Sequence, residues 1–308
     1  MNEKIDLLVS NVEKVIIGKK EVIEKAIVAL LCNGHILIDD VPGVGKTQLV
    51  YALTKSLDGK FNRIQLTPDI MPSDILGFSM IDTSTREYEY RPGAADCNFL
   101  LADEINRASP KVQSSLLEVM EEGQISLEGK THILPKPFMV FATQNPVESY
   151  GTYHLPEAQM DRFIMKISIG YPSFDNEIEI INSAEKSNTK AEVRKVLSLN
   201  DIIDLQNKVL SVQAAPMIKE YILKIVSATR NNESIKLGAS PRGSIALLKC
   251  AKAYAVIKGR DYVTPDDVLY LCDSVLAHRI LLSPKGKAQY SSSSEALKDI
   301  LRSQMFTI

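Results

Sequence analysis

Cysteine and histidine are scarce in this chain, four of each in 308 residues, and neither is spaced for metal or redox chemistry. Cys32, Cys97, Cys250 and Cys272 stand far apart in apolar or helical stretches, so they read as reduced packing residues. The histidines show no H-E-x-x-H or similar spacing. No run of about 18 apolar residues occurs that could cross a membrane. The opening MNEKIDLLVSNVEK lacks the apolar core of an export signal. Together these absences predict a cytoplasmic protein with no direct membrane insertion. Strong charge of one sign is also missing. The formal net charge of -2 provides no overall basic field for nucleic acid.

What is present is a hydrophobic fraction of 45%, enough for one large core or two smaller ones. Up to about residue 170 strand and helix signals alternate, and helical periods follow. The strand candidates are HILID (35–39), RIQLT (63–67), NFLLAD (98–103), FMVFAT (138–143) and FIMKISI (163–169). They are apolar runs, as expected of parallel strands covered by helices on both faces. One helix between them is well punctuated, with Ser109 to cap it, Pro110 at its first position and Gly123 to end it. Residues 80–96 are polar and predict a hairpin or short helix. Residues 123–137 alternate around Glu128-Gly129 and predict a β-hairpin. GYPSFD (170–175) marks a boundary, with helices expected over 176–187, 200–212, 216–231, 241–258 and 265–281. Residues 283–296 read as a polar connection to a last short helix. The expected architecture is an α/β core over 1–172 and a small all-α domain over 173–308.

The stretch HILIDDVPGVGKTQLV (35–50) has the strand, the glycine-rich turn and the Gly-Lys-Thr of a phosphate-binding loop. Backbone N–H groups of Gly43, Val44, Gly45 and Lys46 would cradle a β-phosphate, and the glycines let the backbone approach it. Lys46 would reach the β- and γ-phosphates, and the Thr47 hydroxyl would hold Mg²⁺. Pro42 and Gln48 flank this contact set. Asp40 stands where the general pattern opens with glycine. Only the backbone is needed there, so its carboxylate is expected to face away from phosphate and brace the loop.

The apolar strand NFLLAD ends in Asp103-Glu104. In a phosphate-loop ATPase the first acid holds Mg²⁺ and the second polarises the attacking water. Parallel sheets bind ligands at this strand end. FMVFATQNP ends in Thr143, Gln144 and Asn145. Asn145 orients the water if its strand lies beside that of Asp103, and otherwise belongs to a simple Asn-Pro turn.

These runs, with RIQLTPDIMPSDILG, LLADEINRASPKVQSSLLEVMEEGQIS, FATQNPVESYGTYHLPEAQMDRF and GASPRGSIALLKCAKAYA, resemble the MoxR family of AAA+ ATPases over nearly the whole chain. The resemblance implies a five-stranded parallel sheet of order 5-1-4-3-2 and a C-terminal helical lid. It implies a ring of copies, usually six, with ATP (or ADP) and Mg²⁺ bound between subunits. Residues 80–96 correspond to a helix-2 insertion and 123–137 to the hairpin before the sensor strand, both of which project toward the ring pore or a client. By motif Asn145 matches sensor 1, Arg162 the arginine finger, Arg242 the sensor 2 arginine, and Ile17-Gly18 the segment lining adenine. Arg107 is a second candidate charge at the subunit interface.

The function so implied is ATP-driven, chaperone-like remodelling of a partner protein, of the kind that carries a von Willebrand factor A domain. A nucleotide-switched binding module with slow hydrolysis needs the same residues and stays open at this point. A metal-chelatase-like subunit shares the helix-2 insertion, but GTYHLPEAQMDRF favours MoxR. A nucleic-acid motor is disfavoured because EGKTHILPKP lacks interleaved basic and aromatic residues.

Overall fold

The computed structural model describes residues 2–81, 87–145, 152–185 and 193–303. The core comprises α1 (Glu3–Glu13), α2 (Lys20–Leu31), β1 (Ile36–Asp39), α3 (Lys46–Leu57), β2 (Phe61–Gln65), α4 (Pro72–Leu76), β3 (Phe78–Ile81), β4 (Tyr88–Arg91), β5 (Phe99–Asp103), α5 (Pro110–Glu122), β6 (Gln124–Leu127), β7 (Lys130–Ile133), β8 (Met139–Gln144), α6 (Glu157–Met160) and β9 (Met165–Ile167). Five strands form one parallel sheet in the order β2-β5-β8-β1-β9. Numbered along the core, that is the expected 5-1-4-3-2.

The apolar runs follow from burial on both faces. Ile36 and Ile38 of β1, Phe99 and Leu101 of β5, and Met139 and Phe141 of β8 pack on one side with residues of α1, α2 and α3. Leu37, Leu100, Ala102, Val140 and Ala142 pack on the other with Val112, Leu116 and Met120 of α5. Successive side chains point to opposite faces, so a strand covered twice is apolar at every position. Ser109 caps α5 by accepting from the Val112 amide at 3.5 Å, and Gly123 closes it with φ 63°.

Two antiparallel hairpins leave the core. β6 and β7 turn at Glu128-Gly129, both with positive φ as a two-residue turn requires. β3 pairs with β4, so the described residues of the 80–96 stretch form a hairpin over 80–81 and 88–91 followed by a turn over 92–96; residues 82–86 lie outside the described residues. Tyr90 of β4 stacks on His132 of β7 with ring centroids 3.9 Å apart.

The remainder comprises α7 (Phe174–Glu185), α8 (Leu199–Ser211), α9 (Pro216–Arg230), β10 (Ile235–Leu237), α10 (Pro241–Ile257), α11 (Pro265–Leu276), β11 (Leu281–Leu282), α12 (Pro284–Gln289) and α13 (Ser293–Ser303). The lid is helical, with a small antiparallel β10–β11 pair added. Two expectations are corrected. The helix predicted over 265–281 ends at Leu276 and passes into a 3₁₀ turn, Ala277–Arg279. The polar connection predicted over 283–296 contains α12 and the start of α13. Ser283 accepts from the Gly286 amide at 3.1 Å and Pro284 takes the first helical position, the start signal also seen at α10. Gly286 is required there, since a Cβ would lie 2.0 Å from the Ser234 carbonyl oxygen.

α5 is anchored to the start of β1 by a buried histidine. His35 Nδ1 accepts from the Val140 amide at 3.0 Å, so Nε2 carries the proton and donates to the Met120 carbonyl at 2.8 Å. Burial lowers the His35 pKa from 6.5 to about 4. Burial beside the Arg279 guanidinium likewise lowers that of His278. Between pH 6.5 and 4 the unfolded chain therefore binds protons that the folded chain does not. Stability is fully present above that window and lost as pH falls through it. Urea denaturation should give a stability about 2 kcal/mol lower at pH 5 than at pH 7 from His35 alone. An unchanged stability between these pH values would contradict the neutral, doubly bonded histidine.

Candidate active site

Two cavities lie at opposite edges of the sheet. The first, of about 340 Å³, sits at the C-terminal ends of the strands. Pro42, Gly43, Gly45, Lys46, Thr47 and Gln48 line one wall, and Arg63, Gln65, Asp103, Glu104, Thr143 and Asn145 the other. The loop has the geometry of an anion cradle. Gly43 and Gly45 have φ of 86° and 93°, and a Cβ at Gly43 would meet no atom within 4 Å. No side chain caps the start of α3, whose first-turn residues Lys46, Thr47 and Gln48 line the cavity. Val44 turns its side chain into the core, leaving only its backbone for a ligand. Lys46 Nζ donates to the Asp40 carbonyl at 2.7 Å.

Asp40 faces away from this cradle, as expected. One carboxylate oxygen accepts from the amides of Ile169 and Gly170, at 2.6 and 2.8 Å, and from the Ser168 hydroxyl at 3.0 Å. The other accepts from the Val41 amide at 2.9 Å. The side chain therefore ties the phosphate loop to the segment leaving β9.

The acid pair is held with its two members in different roles. Asp103 is buried at the end of β5. Its Oδ1 accepts from the Thr143 hydroxyl at 3.0 Å, and its Oδ2 from Arg63 Nε at 2.7 Å. Thr143 in turn accepts from the Glu104 amide at 2.9 Å, so one hydroxyl orients both acids. Glu104 adopts φ 59°, a left-handed conformation that costs a non-glycine residue about 1–3 kcal/mol. Its carboxylate accepts from Arg107 at 3.0 Å. The buried Asn145 lines the same cavity, and β8 does lie beside β5. Sequence reasoning missed Arg63 and the role of Thr143. Thr143 was visible as a polar residue at a strand end; Arg63 carried no motif signal.

A divalent cation fits this donor set. A hydroxyl and a carboxylate are hard oxygen donors, and the Arg63 guanidinium on Asp103 shows that the position accepts positive charge. Ile17 and Gly18 do not line the cavity. The neighbouring Ile16 packs toward Gly45, and a Cβ at Gly18 would lie 1.9 Å from the Asn176 amide nitrogen on α7.

Arg162 and Arg242 are brought together, but elsewhere. They line a second cavity of about 200 Å³ with Cys32, Asn33, Gly34, His35 and Ile164, which precede or open β1 and β9. This is the N-terminal edge of the sheet, and no residue lines both cavities. The four residues of β1 span roughly 13 Å between them. Arg162 meets one oxygen of Glu121 at 2.7 Å and Arg242 meets the other at 3.0 Å. The backbone beneath is rigidly tied to the lid. Buried Arg279 donates to Asp161 Oδ1 at 2.6 Å and to the Phe163 carbonyl at 2.7 Å. Ser240, the cap of α10, donates to Asp161 Oδ2 at 3.0 Å.

Residues 35–165 match the ATPase family associated with various cellular activities (AAA), and residues 227–300 match the AAA lid domain. The chain is 50% identical to protein YeaC of Bacillus subtilis, over 95% of this chain and 92% of that one. It is 39% identical to Chaperone MoxR1 of Mycobacterium tuberculosis, over 97% of this chain and 81% of that one. It is 31% identical to Protein MoxR of Paracoccus denitrificans, over 92% and 91% of the two chains. A crystal structure from Cytophaga hutchinsonii, named as an inferred ATPase, superposes with a TM-score of 0.90 at 39% identity, over 98% of this chain and 94% of that one.

Because Asp40 braces the loop from behind, Asp40→Gly should leave ATP affinity within about three-fold of wild type. It should lower stability by about 2–4 kcal/mol, since the Ile169 and Gly170 amides lose a charged acceptor. Fluorescent-nucleotide titration and urea denaturation measure the two effects. A large loss of affinity at unchanged stability would put the carboxylate in the phosphate site instead.

Proposed function

The chain belongs to the MoxR family of AAA+ ATPases and is an ATP hydrolase, and from that premise we propose that it acts as an oligomeric ring, hexameric as the family resemblance implies, whose Mg-ATP turnover remodels a client protein. The client class implied by the resemblance is a protein with a von Willebrand factor A domain. The name of the Mycobacterium tuberculosis relative, a chaperone, agrees with such a role.

The observation that carries this reading is the separation of the two cavities. Arg162 and Arg242 stand at the sheet edge opposite the phosphate loop. Arginines of this kind are useful only beside a transferring phosphoryl group, so the nucleotide they serve is bound by another copy. A ring satisfies this demand at every interface.

In hydrolysis the water oxygen bonds to the γ-phosphorus, and the bond to the β,γ-bridging oxygen breaks to release ADP and phosphate. Negative charge is spread over the equatorial oxygens on the way. Lys46 and the amides of residues 43–46 bind the phosphates. Glu104 takes the water's proton, held in place by its own amide on Thr143. Asn145 orients the water. Thr47 and Asp103 would hold Mg²⁺, whose chemistry there would be neutralisation of phosphate charge. Guanidinium groups from a neighbouring copy stabilise the charge that develops, an effect worth about 10³–10⁵ in rate for an arginine finger.

Glu104→Gln should bind ATP with near-normal affinity and turn it over about 10²–10⁴-fold more slowly; near-normal turnover would remove Glu104 from its role. Arg162→Ala should also lose turnover. Mixing it with Glu104→Gln subunits should restore part of the activity, because some mixed interfaces pair an intact Glu104 with an intact Arg162. No recovery on mixing would argue against arginines acting between copies. ATP-dependent capture by the Glu104→Gln variant tests the client class, which fails if no von Willebrand factor A protein is retained.

A further inference from the structure

Glu121, in the last turn of α5, carries a carboxylate whose two oxygens are divided between two arginines. Oε2 meets Arg162 Nη1 at 2.7 Å, and Oε1 meets Arg242 Nη2 at 3.0 Å. Arg162 Nη1 also donates to the Leu117 carbonyl at 3.0 Å, on the same helix. Two guanidinium groups converging on the oxygens of one small anion is the arrangement that a terminal phosphoryl group requires. Lys249 and Arg279 line the same cavity and add further positive charge. Asp161, the other acid there, is already taken by Arg279 and Ser240. Glu121 is therefore the acid that answers the two arginines. At about 200 Å³ the cavity is smaller than the roughly 300–1,000 Å³ that enclose whole drug-sized ligands. It suits the tip of a nucleotide whose remainder is held elsewhere.

We propose that Glu121 is an internal surrogate for the γ-phosphoryl group: it pairs with Arg162 and Arg242 within one subunit and is displaced when ATP bound to a neighbouring copy reaches them. This rests on the reading that both arginines act between copies. The backbone geometry suits the exchange. Asp161, Arg279 and the Ser240 cap fix the chain beside Arg162 and Arg242, and His35 anchors the last turn of α5 through Met120. The three side chains that change partners are only partly buried, at 33%, 53% and 44% exposure for Arg162, Arg242 and Glu121. Swapping a monoanionic carboxylate for the more highly charged phosphoryl requires no rebuilding of the fold. Glu121 thereby acts as a competitor that makes assembly selective for ATP over ADP, because ADP has no group to displace it.

The test uses the full chain with Glu104→Gln, so that ATP persists, and sedimentation velocity to find the protein concentration of half-assembly in Mg-ATP and in Mg-ADP. Adding Glu121→Gln should lower that concentration about three- to ten-fold in ATP and leave it unchanged in ADP, since only the ATP complex competes with the carboxylate. Glu122→Gln, one residue on and outside the cavity, should change neither. An unchanged value in ATP, a rise in ATP, or an equal shift in both nucleotides would overturn the proposal. Arg162→Ala and Arg242→Ala in the same background separate this failure from that of the underlying reading. If those variants assemble in ATP as wild type does, the arginines do not act between copies. If they weaken ATP-dependent assembly while Glu121→Gln does not strengthen it, the reading stands and the surrogate role falls.

Discussion

A parallel sheet has two unlike edges, and everything chemical in this protein depends on that polarity. Ligands gather where parallel strands end, because there the following loops turn toward helix N-termini. β1, β5 and β8 accordingly deliver the phosphate loop, the acid pair and Asn145 to one edge. The opposite edge receives the ends of helices returning beneath the sheet, among them the last turn of α5 with Glu121. The segment before β9 arrives there too, carrying Arg162. β1 is only four residues long, yet its length suffices to keep the two sets of charges apart. On the proposed reading, a single copy carries both halves of a hydrolysis site and does not close them on each other.

A second short strand, β9, connects the edges that β1 separates. β9 has three residues, and an aspartate network grips the chain at each end of it. Asp161 lies just before it, locked to the lid by Arg279 and the Ser240 cap. Just after it, Ser168, Ile169 and Gly170 all bond the Asp40 carboxylate. Buried ionic contacts add little net stability once desolvation is counted, and their better-attested use is to fix one arrangement over others. Here they make the phosphate loop, the edge strand, the arginine pair and the lid helix α10 a mechanically continuous path. Lys46 donates to the backbone carbonyl of that same Asp40.

Features whose signal is local were legible in the sequence. The five strands read as apolar runs because both faces are covered, and the phosphate loop and the acid pair read as motifs. The displacement of Asp40 from phosphate followed from needing only backbone at its position. What sequence could not supply was partnership across the fold. Arg63 is one charged residue in a strand, and its meaning comes from β2 lying beside β5. Glu121 looks like any exposed acid near a helix end until α5 and α10 are seen to meet over it. The placement of Arg242 beside Arg162, and not beside the phosphate loop, depends on how the lid packs. The misread stretch at 283–296 is of another kind. Its Ser-Pro start signal was present at Ser283-Pro284, but serine-rich composition outweighed it. Packing of Gly286 on the Ser234 backbone decided the matter.

Most charged groups named in the site have a partner within the chain itself. Asp103 has Arg63, Glu104 has Arg107, Lys46 has the Asp40 carbonyl, and the two arginines share Glu121. The ionic partners all include at least one substantially exposed side chain, so each pair is worth only about 0–1 kcal/mol in solvent. That modest value is functionally useful. Unpaired, the two arginines of the second cavity would repel each other. Paired in a dry interior, they would resist a ligand by several kcal/mol. Exposed pairing leaves the charges partly compensated and still exchangeable, and the left-handed Glu104 is held by the buried Thr143 bond, independent of the exchange. The rigid parts of the site are thus its backbones and buried aspartates, and the movable parts are the long cationic side chains with Glu121. That division lets a multiply charged nucleotide reorder the contacts without paying to refold what holds them.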